Sequence, residues 1–369
     1  MPHFSLERLR RAPDVEAPNL VAVDATDRLI LDEADAAIRE HPESVVVIGD
    51  RYGALTLGAI SEHGASAVRV HQDALVGELA LARNAAQFGI DDYAQHGLDE
   101  TLVSGARVVL LQLPKSLEQL DEWAAITAAH ADPSVVVYAG GRVKHLTPAM
   151  SEVLGRHFGS VTATLARQKS RVLVARGPQA QPGEWPKREF HEELGLWVCA
   201  HGGAFAGTRL DIGTRFLLQF LPDMAPDAAT AVDLGCGTGI LAASLKRSRP
   251  ELEVLATDQS TAAVASARAT MAANGLDVTV VRDVGLASQP DASADLVLLN
   301  PPFHSGTTVD EGLAPALFAD AARVLRPGGE LWTVFNSHLA YRSALSRLVG
   351  ETREAGRNAK FTVAVSRRT

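Results

Sequence analysis

Cysteine is scarce: Cys199 and Cys236 are the only two in 369 residues. Two cysteines make neither a disulfide framework nor a plausible metal set, so no metal is expected. Long apolar runs are missing too, and none approaches the roughly 20 residues that a membrane-spanning helix needs. The amino terminus, Met1-Pro2-His3-Phe4-Ser5-Leu6-Glu7-Arg8, lacks the apolar core of a signal peptide. A cytoplasmic protein with no membrane partner is the expectation. Positive charge is in deficit, because 35 Lys and Arg against 44 Asp and Glu leave a net charge of −9, which excludes a generally basic nucleic-acid binder. What is present, 46% hydrophobic residues over a length sufficient for two cores, is ordinary for globular α/β proteins.

Asn300-Pro301-Pro302-Phe303 carries the most chemistry. It follows the apolar run Ala294-Asp295-Leu296-Val297-Leu298-Leu299, which reads as a buried parallel strand. Such a strand end delivers a carboxamide, a rigid carbonyl and an aromatic ring to one rim of a sheet, a set that can hold a planar amine. Upstream, Ala231-Val232-Asp233-Leu234 runs into Gly235, Gly237 and Gly239 and then into a helical pattern. Glycine in that turn lets backbone N–H groups approach a ligand. A dinucleotide fingerprint would need glycine at 240, where Ile240 stands, and this argues against NAD or FAD. Asp258 then closes a strand-like segment and offers a carboxylate to ribose hydroxyls, while Asp283 follows Val278-Thr279-Val280-Val281 and could meet an adenine amino group. Singly these are a turn, two helix caps and a strand stop. In this order they occupy the ligand-binding rim of an open α/β sheet, an arrangement that resembles a class I S-adenosylmethionine-dependent methyltransferase.

The chain repeats itself. A shift of 186 residues places Gly49 on Gly235, Gly53 on Gly239, Leu55 on Leu241 and Gly89 on Gly275. Val108 to Lys115 overlies Leu296 to Phe303 at 188, and Lys169 to Arg176 overlies Lys360 to Arg367 at 191. The expected fold is therefore α/β with two tandem Rossmann-like domains. The second should be a seven-stranded, mostly parallel sheet with helices on both faces. The first is degenerate: it carries Val47 for Asp233, Arg51 for Gly237, Gln72 for Asp258 and Gln112-Leu113-Pro114-Lys115 for Asn-Pro-Pro-Phe. Residues 1–177 form that domain, a structural partner or RNA platform. Residues 178–190, rich in Pro, Gly and Gln, read as a linker, and 191–369 as the catalytic domain. Asp211 reads as the N-cap of a helix running through Leu217 and Phe220.

Taken together, the tandem copies, Leu210-Asp211-Ile212-Gly213, Asp233 to Gly239, Asn300 to His304 and the late Asn336 to Tyr341 with Lys360-Phe361 resemble the bacterial ribosomal RNA guanine-N2 methyltransferases. These form the small-subunit methyltransferase C and large-subunit methyltransferase G group, and the late features favour the large-subunit branch. The resemblance implies that S-adenosylmethionine is held by Asp233, Gly235, Cys236, Gly237, Gly239, Asp258, Gln259, Asp283, Val284 and Thr214. It implies catalysis by Asn300, Pro301 and Phe303 and ribosomal RNA or a ribosomal subunit as partner; a chain that contains its own pseudo-twofold partner is expected to act as a monomer. The exocyclic amine of guanine is a poor nucleophile, so acceptors on its two N–H groups must favour a pyramidal nitrogen while Phe303 stacks on the base.

Basic residues cluster locally despite the net charge. Arg142 to Arg176 holds seven against one acid, and His338 to Thr369 seven against two; such segments can contact phosphates. Two competing readings stay open at this level: an N-methyltransferase acting on adenine N6 or on a protein glutamine, and a non-catalytic RNA-binding assembly factor.

Overall fold

A computed structural model describes residues 3–181, 185–301 and 310–369. The chain divides into two units, Met1–Trp185 and Pro186–Thr369. Unit 1 contains strands β1 (Val45–Ile48), β2 (Val68–His71), β3 (Tyr93–Gln95), β4 (Val108–Gln112), β5 (Val136–Arg142), β6 (Phe158–Ala163) and β7 (Ser170–Pro178). Its helices are α1 (Ala25–Glu40), α2 (Ala54–His63), α3 (Leu75–Phe88), α4 (Glu100–Val103), α5 (Leu117–His130) and α6 (Pro148–His157). Unit 2 opens with the hairpin β8 (Lys187–His191) and β9 (Leu196–Ala200), followed by β10 (Thr230–Leu234), β11 (Glu253–Asp258), β12 (Thr279–Arg282), β13 (Ala294–Leu299), β14 (Leu325–Asn336), β15 (Gly350–Arg357) and β16 (Phe361–Arg368). Helices α7 (Ile212–Leu218), α8 (Ile240–Ser248), α9 (Thr261–Asn274), α10 (Asp310–Val324) and α11 (Tyr341–Leu348) complete it.

The repeat in the sequence is a repeat in topology. Unit 1 has the strand order β3-β2-β1-β4-β5-β7-β6 and unit 2 the order β12-β11-β10-β13-β14-β16-β15. In each sheet only the last two strands run antiparallel to their neighbours. Central strands read as unbroken apolar runs, Val45-Val46-Val47-Ile48 and Leu296-Val297-Leu298-Leu299, because helices cover both faces and every side chain is buried. Each unit has its core on both sides of its sheet, with Leu31, Leu55 and Leu81 on one face of unit 1 and Leu120, Leu154 and Phe158 on the other. Trp332 and Phe318 mark the two faces in unit 2.

One boundary differs from the sequence reading. Strand β8 occupies Lys187–His191, and its first four residues lie in the stretch 178–190 read as linker. A half-exposed hairpin strand is built largely from polar residues, and composition does not separate it from a connection.

Phe318 is fully buried and meets the Tyr341 ring edge-on at 5.5 Å. Phe318→Ala is expected to lower unfolding stability by about 3–5 kcal/mol, read from urea midpoints. A loss under about 1 kcal/mol would mean that this face of the unit 2 core is not packed as described.

Candidate functional site

Strand β10 pairs in parallel with β11 on one edge and β13 on the other. Their carboxyl ends therefore bring Asp233 to Gly239, Asp258 with Gln259, and Asn300 to one rim, at the point where the strand order reverses. The glycine turn is fixed from its underside: Gly235 and Cys236 donate to the Thr257 carbonyl at 2.8 and 2.9 Å, and Gly237 donates to Asp258 Oδ2 at 3.0 Å. Gly235 and Gly237 have φ of +71° and +54°, and a Cβ on either would meet nothing within 4 Å. Open space in front of a left-handed turn is what a close-fitting ligand requires. Gly239 serves packing instead, since a Cβ there would lie 2.8 Å from Met271 Cε and 3.1 Å from Ala267 Cβ.

Among the described residues, Asp233 Oδ1, Gln259 Oε1 and Asn300 Oδ1 in this region are buried without a hydrogen-bond donor. Asp233 is 1% exposed, and its other oxygen accepts the Ala242 N–H at 2.9 Å. Burial pushes its carboxyl up to about 7, against the Ala242 hydrogen bond and with the Asp258 charge adding to the rise. A buried carboxyl with an unused lone pair and two amide oxygens in the same state suit a ligand rich in N–H donors or cationic nitrogen. Asp258 is oriented by Gly237 N on one oxygen and Ser260 N, at 2.9 Å, on the other. Asp283 accepts from Ser288 N and Oγ at 2.9 and 2.7 Å, and its own N–H ties it to the Asp258 carbonyl at 3.0 Å; Val284 beside it is half-buried. Burial, with Asp233 and Asp258 adding, holds the Cys236 thiol well above its usual range, so it stays protonated and supplies no nucleophile.

The Asn300 amide is braced from a helix that precedes it by almost ninety residues. Its Nδ2 donates to Asp211 Oδ2 at 3.1 Å and to Thr214 Oγ1 at 2.9 Å. A carboxylate only accepts, so the NH₂ end must face Asp211, and Oδ1 is turned the other way. Asp211 caps α7 through the same oxygen, which accepts Thr214 N at 3.0 Å. A Cβ on Gly213 would lie 3.0 Å from Asp211 Oδ2 and 3.4 Å from Asn300 Oδ1; glycine keeps the approach to that acceptor clear. The cap expected at Asp211 is present, and the same carboxylate oxygen also accepts from Asn300. Thr214, expected among the cofactor contacts, accepts from Asn300 through its hydroxyl. No local pattern announces either contact, because the partner is remote in sequence. Pro301 is buried, and Phe303, with Pro302 and His304, lies outside the described residues.

Unit 1 keeps the brace and crowds the turn. Asp24 caps α1 in a capping box with Asp27, and Gln112, at the end of β4, donates its amide to Asp27 Oδ1. At Gly49, the counterpart of Gly235, a Cβ would lie 3.1 Å from the Trp123 ring. A cavity of about 280 Å³ remains at this rim, lined by Gly49, Arg51, Gln112 and Trp123 among others. Several clustered cations are committed internally: Arg142 pairs with Asp24, Arg156 with Asp121, and Arg167 with Asp32 and Glu33.

Known families match both units. The Methyltransferase small domain matches residues 195–365 and the RLMG N-terminal domain residues 2–179. A protein named ribosomal RNA large subunit methyltransferase G in Streptomyces avermitilis is 37% identical over 367 residues, covering 96% of this chain and 95% of its own. The protein of that name in Ectopseudomonas mendocina is 36% identical over 369 residues, covering 98% and 97%. In fold, the chain is similar to the T. thermophilus 16S rRNA N2 G1207 methyltransferase, solved in complex with AdoMet and guanosine. The TM-score is 0.71 at 20% identity, with 92% of each chain covered.

Two predictions follow from the geometry of the rim. Asp233 has an ordinary value of 3.8 and a folded value of about 7, so the folded state holds its proton more tightly than the unfolded chain. The stability this contributes is complete below 3.8 and lost as pH rises through 7. Asp233→Asn is expected to flatten the fall in urea midpoint between roughly pH 5 and pH 8; parallel profiles for variant and wild type would refute the assignment. Asp211→Ser keeps a capping oxygen but is too short to reach Asn300. We expect unchanged thermal stability and a kcat reduced on the order of 10- to 100-fold, whereas an unchanged kcat would remove Asp211 from the site.

Proposed function

The chain belongs to the ribosomal RNA large subunit methyltransferase G family, and from that premise we propose that it methylates the exocyclic N2 amine of a guanine in large-subunit ribosomal RNA, using S-adenosylmethionine. The observation that carries the chemistry is Asn300 Oδ1, a buried acceptor without a donor whose orientation is set by Asp211 and Thr214.

Fit of the cofactor rests on the open turn at Gly235 and Gly237 and on the unpartnered oxygens of Asp233 and Gln259. In this reading Asp233 faces the cationic amino-acid end and Asp258 the ribose, with Gln259, Asp283 and Val284 toward the base. When bound, S-adenosylmethionine supplies a methyl group whose C–S bond breaks as the new N–C bond forms, leaving a neutral thioether. Asn300 Oδ1 accepts one N–H of the amine, and the Pro301 carbonyl is the candidate acceptor for the other. Two acceptors on the N–H groups draw the nitrogen out of conjugation and aim its lone pair. Because the amide is already braced, little reorganisation accompanies the reaction. The methylated nitrogen is acidic enough to lose its proton to water, so no strong base is needed. A paired guanine cannot enter such a rim, and the target must be unpaired or flipped out.

Unit 1 is proposed to have lost the cofactor. Trp123 crowds the counterpart of the open turn, and Gln72 replaces the ribose carboxylate.

Nucleoside analysis of ribosomal RNA from a strain lacking the gene tests the whole assignment. Loss of N2-methylguanosine from the large subunit alone is expected; loss of an N6-methyladenosine, or no loss, would overturn it. With purified protein, Asn300→Ala is expected to keep one S-adenosylmethionine site by calorimetry while kcat falls about 100-fold or more, the scale seen when a single preorganised polar group is removed.

A further inference from the structure

Among the described residues, the exposed aromatic rings are Phe190, Trp197 and Phe205, at 46%, 36% and 67%. All three lie in one segment at the start of unit 2, outside every group assigned above. Phe190 and Trp197 are directly opposite each other on the β8–β9 hairpin, with ring centroids 5.2 Å apart. The Arg188 guanidinium lies over the Trp197 ring, 3.9 Å from its centroid. The result is a row of three planar π-surfaces, one of them cationic.

The hairpin is held as a rigid plate. One edge of β9 pairs with β8, and the other is stitched to α9 by side chains spaced four residues apart on one helix face. Trp197 N donates to Asn274 Oδ1 at 2.9 Å, Cys199 N to Thr270 Oγ1 at 3.0 Å and His201 N to Ser266 Oγ at 2.8 Å. Asn274 also returns a hydrogen bond to the Trp197 carbonyl at 2.7 Å. The hairpin's inner side is apolar: Val198 packs with Ile240, the residue that follows Gly239 in the glycine turn. Beyond β9 the same segment runs through Phe205 to Asp211, which braces Asn300. The hairpin that carries the aromatic row is thus packed against the turn by its other face and joined through the chain to the brace.

We infer that the Arg188–Trp197–Phe190 row is a stacking platform for unpaired RNA bases adjoining the target guanine. This rests on the proposed activity and adds the surface that presents the substrate. Stacking suits a chain with a net charge of −9, which is ill-equipped to hold RNA chiefly through phosphates. Charge on the hairpin is mixed. Lys187 and Arg188 share it with Glu189, Glu192 and Glu193; Arg247 of α8 donates to the Gly195 carbonyl, Glu189 accepts from the Thr208 hydroxyl, and Glu193 pairs with Arg215. A cation lying flat on an aromatic ring favours a planar, electron-rich partner over an aliphatic one.

The test uses the full chain and an unstructured RNA oligonucleotide containing a single guanosine, with affinity read by fluorescence anisotropy. Phe190→Ala and Trp197→Ala are each expected to weaken binding roughly 5- to 150-fold. Trp197→Phe should stay near wild type, and the calorimetric S-adenosylmethionine site should be unchanged in all three. Both positions are substantially exposed, and matching urea midpoints will show that the variants fold. Alanine variants that bind and methylate RNA as wild type does would overturn the platform while leaving the activity standing. A wild type that binds the cofactor but methylates no ribosomal RNA would sink the underlying activity instead. Variants that keep RNA affinity but lose a ribosomal protein would assign the patch to protein and overturn the inference.

Discussion

Two hydrogen bonds from one amide nitrogen fix the orientation on which the proposed chemistry of this protein depends. With Asn300 Nδ2 committed to Asp211 and Thr214, the amide cannot turn over without setting its oxygen against the Asp211 carboxylate. The acceptor is consequently oriented by the fold itself. Its surroundings hold that orientation: α7 starts at Asp211, Gly213 withholds a side chain from the gap, and β13 ends beside the amide. In the proposed reaction, preorganisation of this kind shifts the cost of orientation from the reaction to folding.

Folding bears that cost visibly. Asp233, Gln259 and Asn300 each bury an oxygen with no donor, and a buried polar group in that condition destabilises by about 1–3 kcal/mol. Such concentrations of frustrated groups mark places where binding, rather than folding, supplies the missing partners. In unit 1, Asp50, at the position of Cys236, is buried and accepts from Gly53 N and Thr56 N. An aromatic ring stands beside the turn there, where unit 2 is open.

Much of the architecture was readable in advance because it is periodic or punctuated. Apolar runs in the central strands, glycines at matched intervals and the offset of 186 led to two copies of one sheet, and the strand orders agree. The family resemblance, drawn from ordered motifs, agrees with the relatives found. Contacts between residues remote in sequence were not readable. Nothing near Asp211 reveals that its second partner is Asn300, and nothing near Trp197 reveals that Ser266, Thr270 and Asn274 will hold its strand. The start of β8 was obscured for another reason: an exposed hairpin strand has the composition of a connection. The clustered cations illustrate a third limit, since charge counts do not show which arginines are consumed by nearby acids.

The doubled topology also creates a hazard during synthesis. A chain that offers the same strand order twice presents each growing sheet with a near-copy of its missing strands, and exchange between copies is a characteristic failure of tandem folds. The two halves differ in the side chains that their matching strands pair. Strand β14 and strand β5 each pair over seven residues with their antiparallel neighbour, but β14 sets Trp332 opposite Val365 where β5 sets Tyr138 opposite Val174. A swapped strand would bring the wrong aromatic bulk to its partner. Divergence between the copies therefore gives each half an identity by which it assembles with itself.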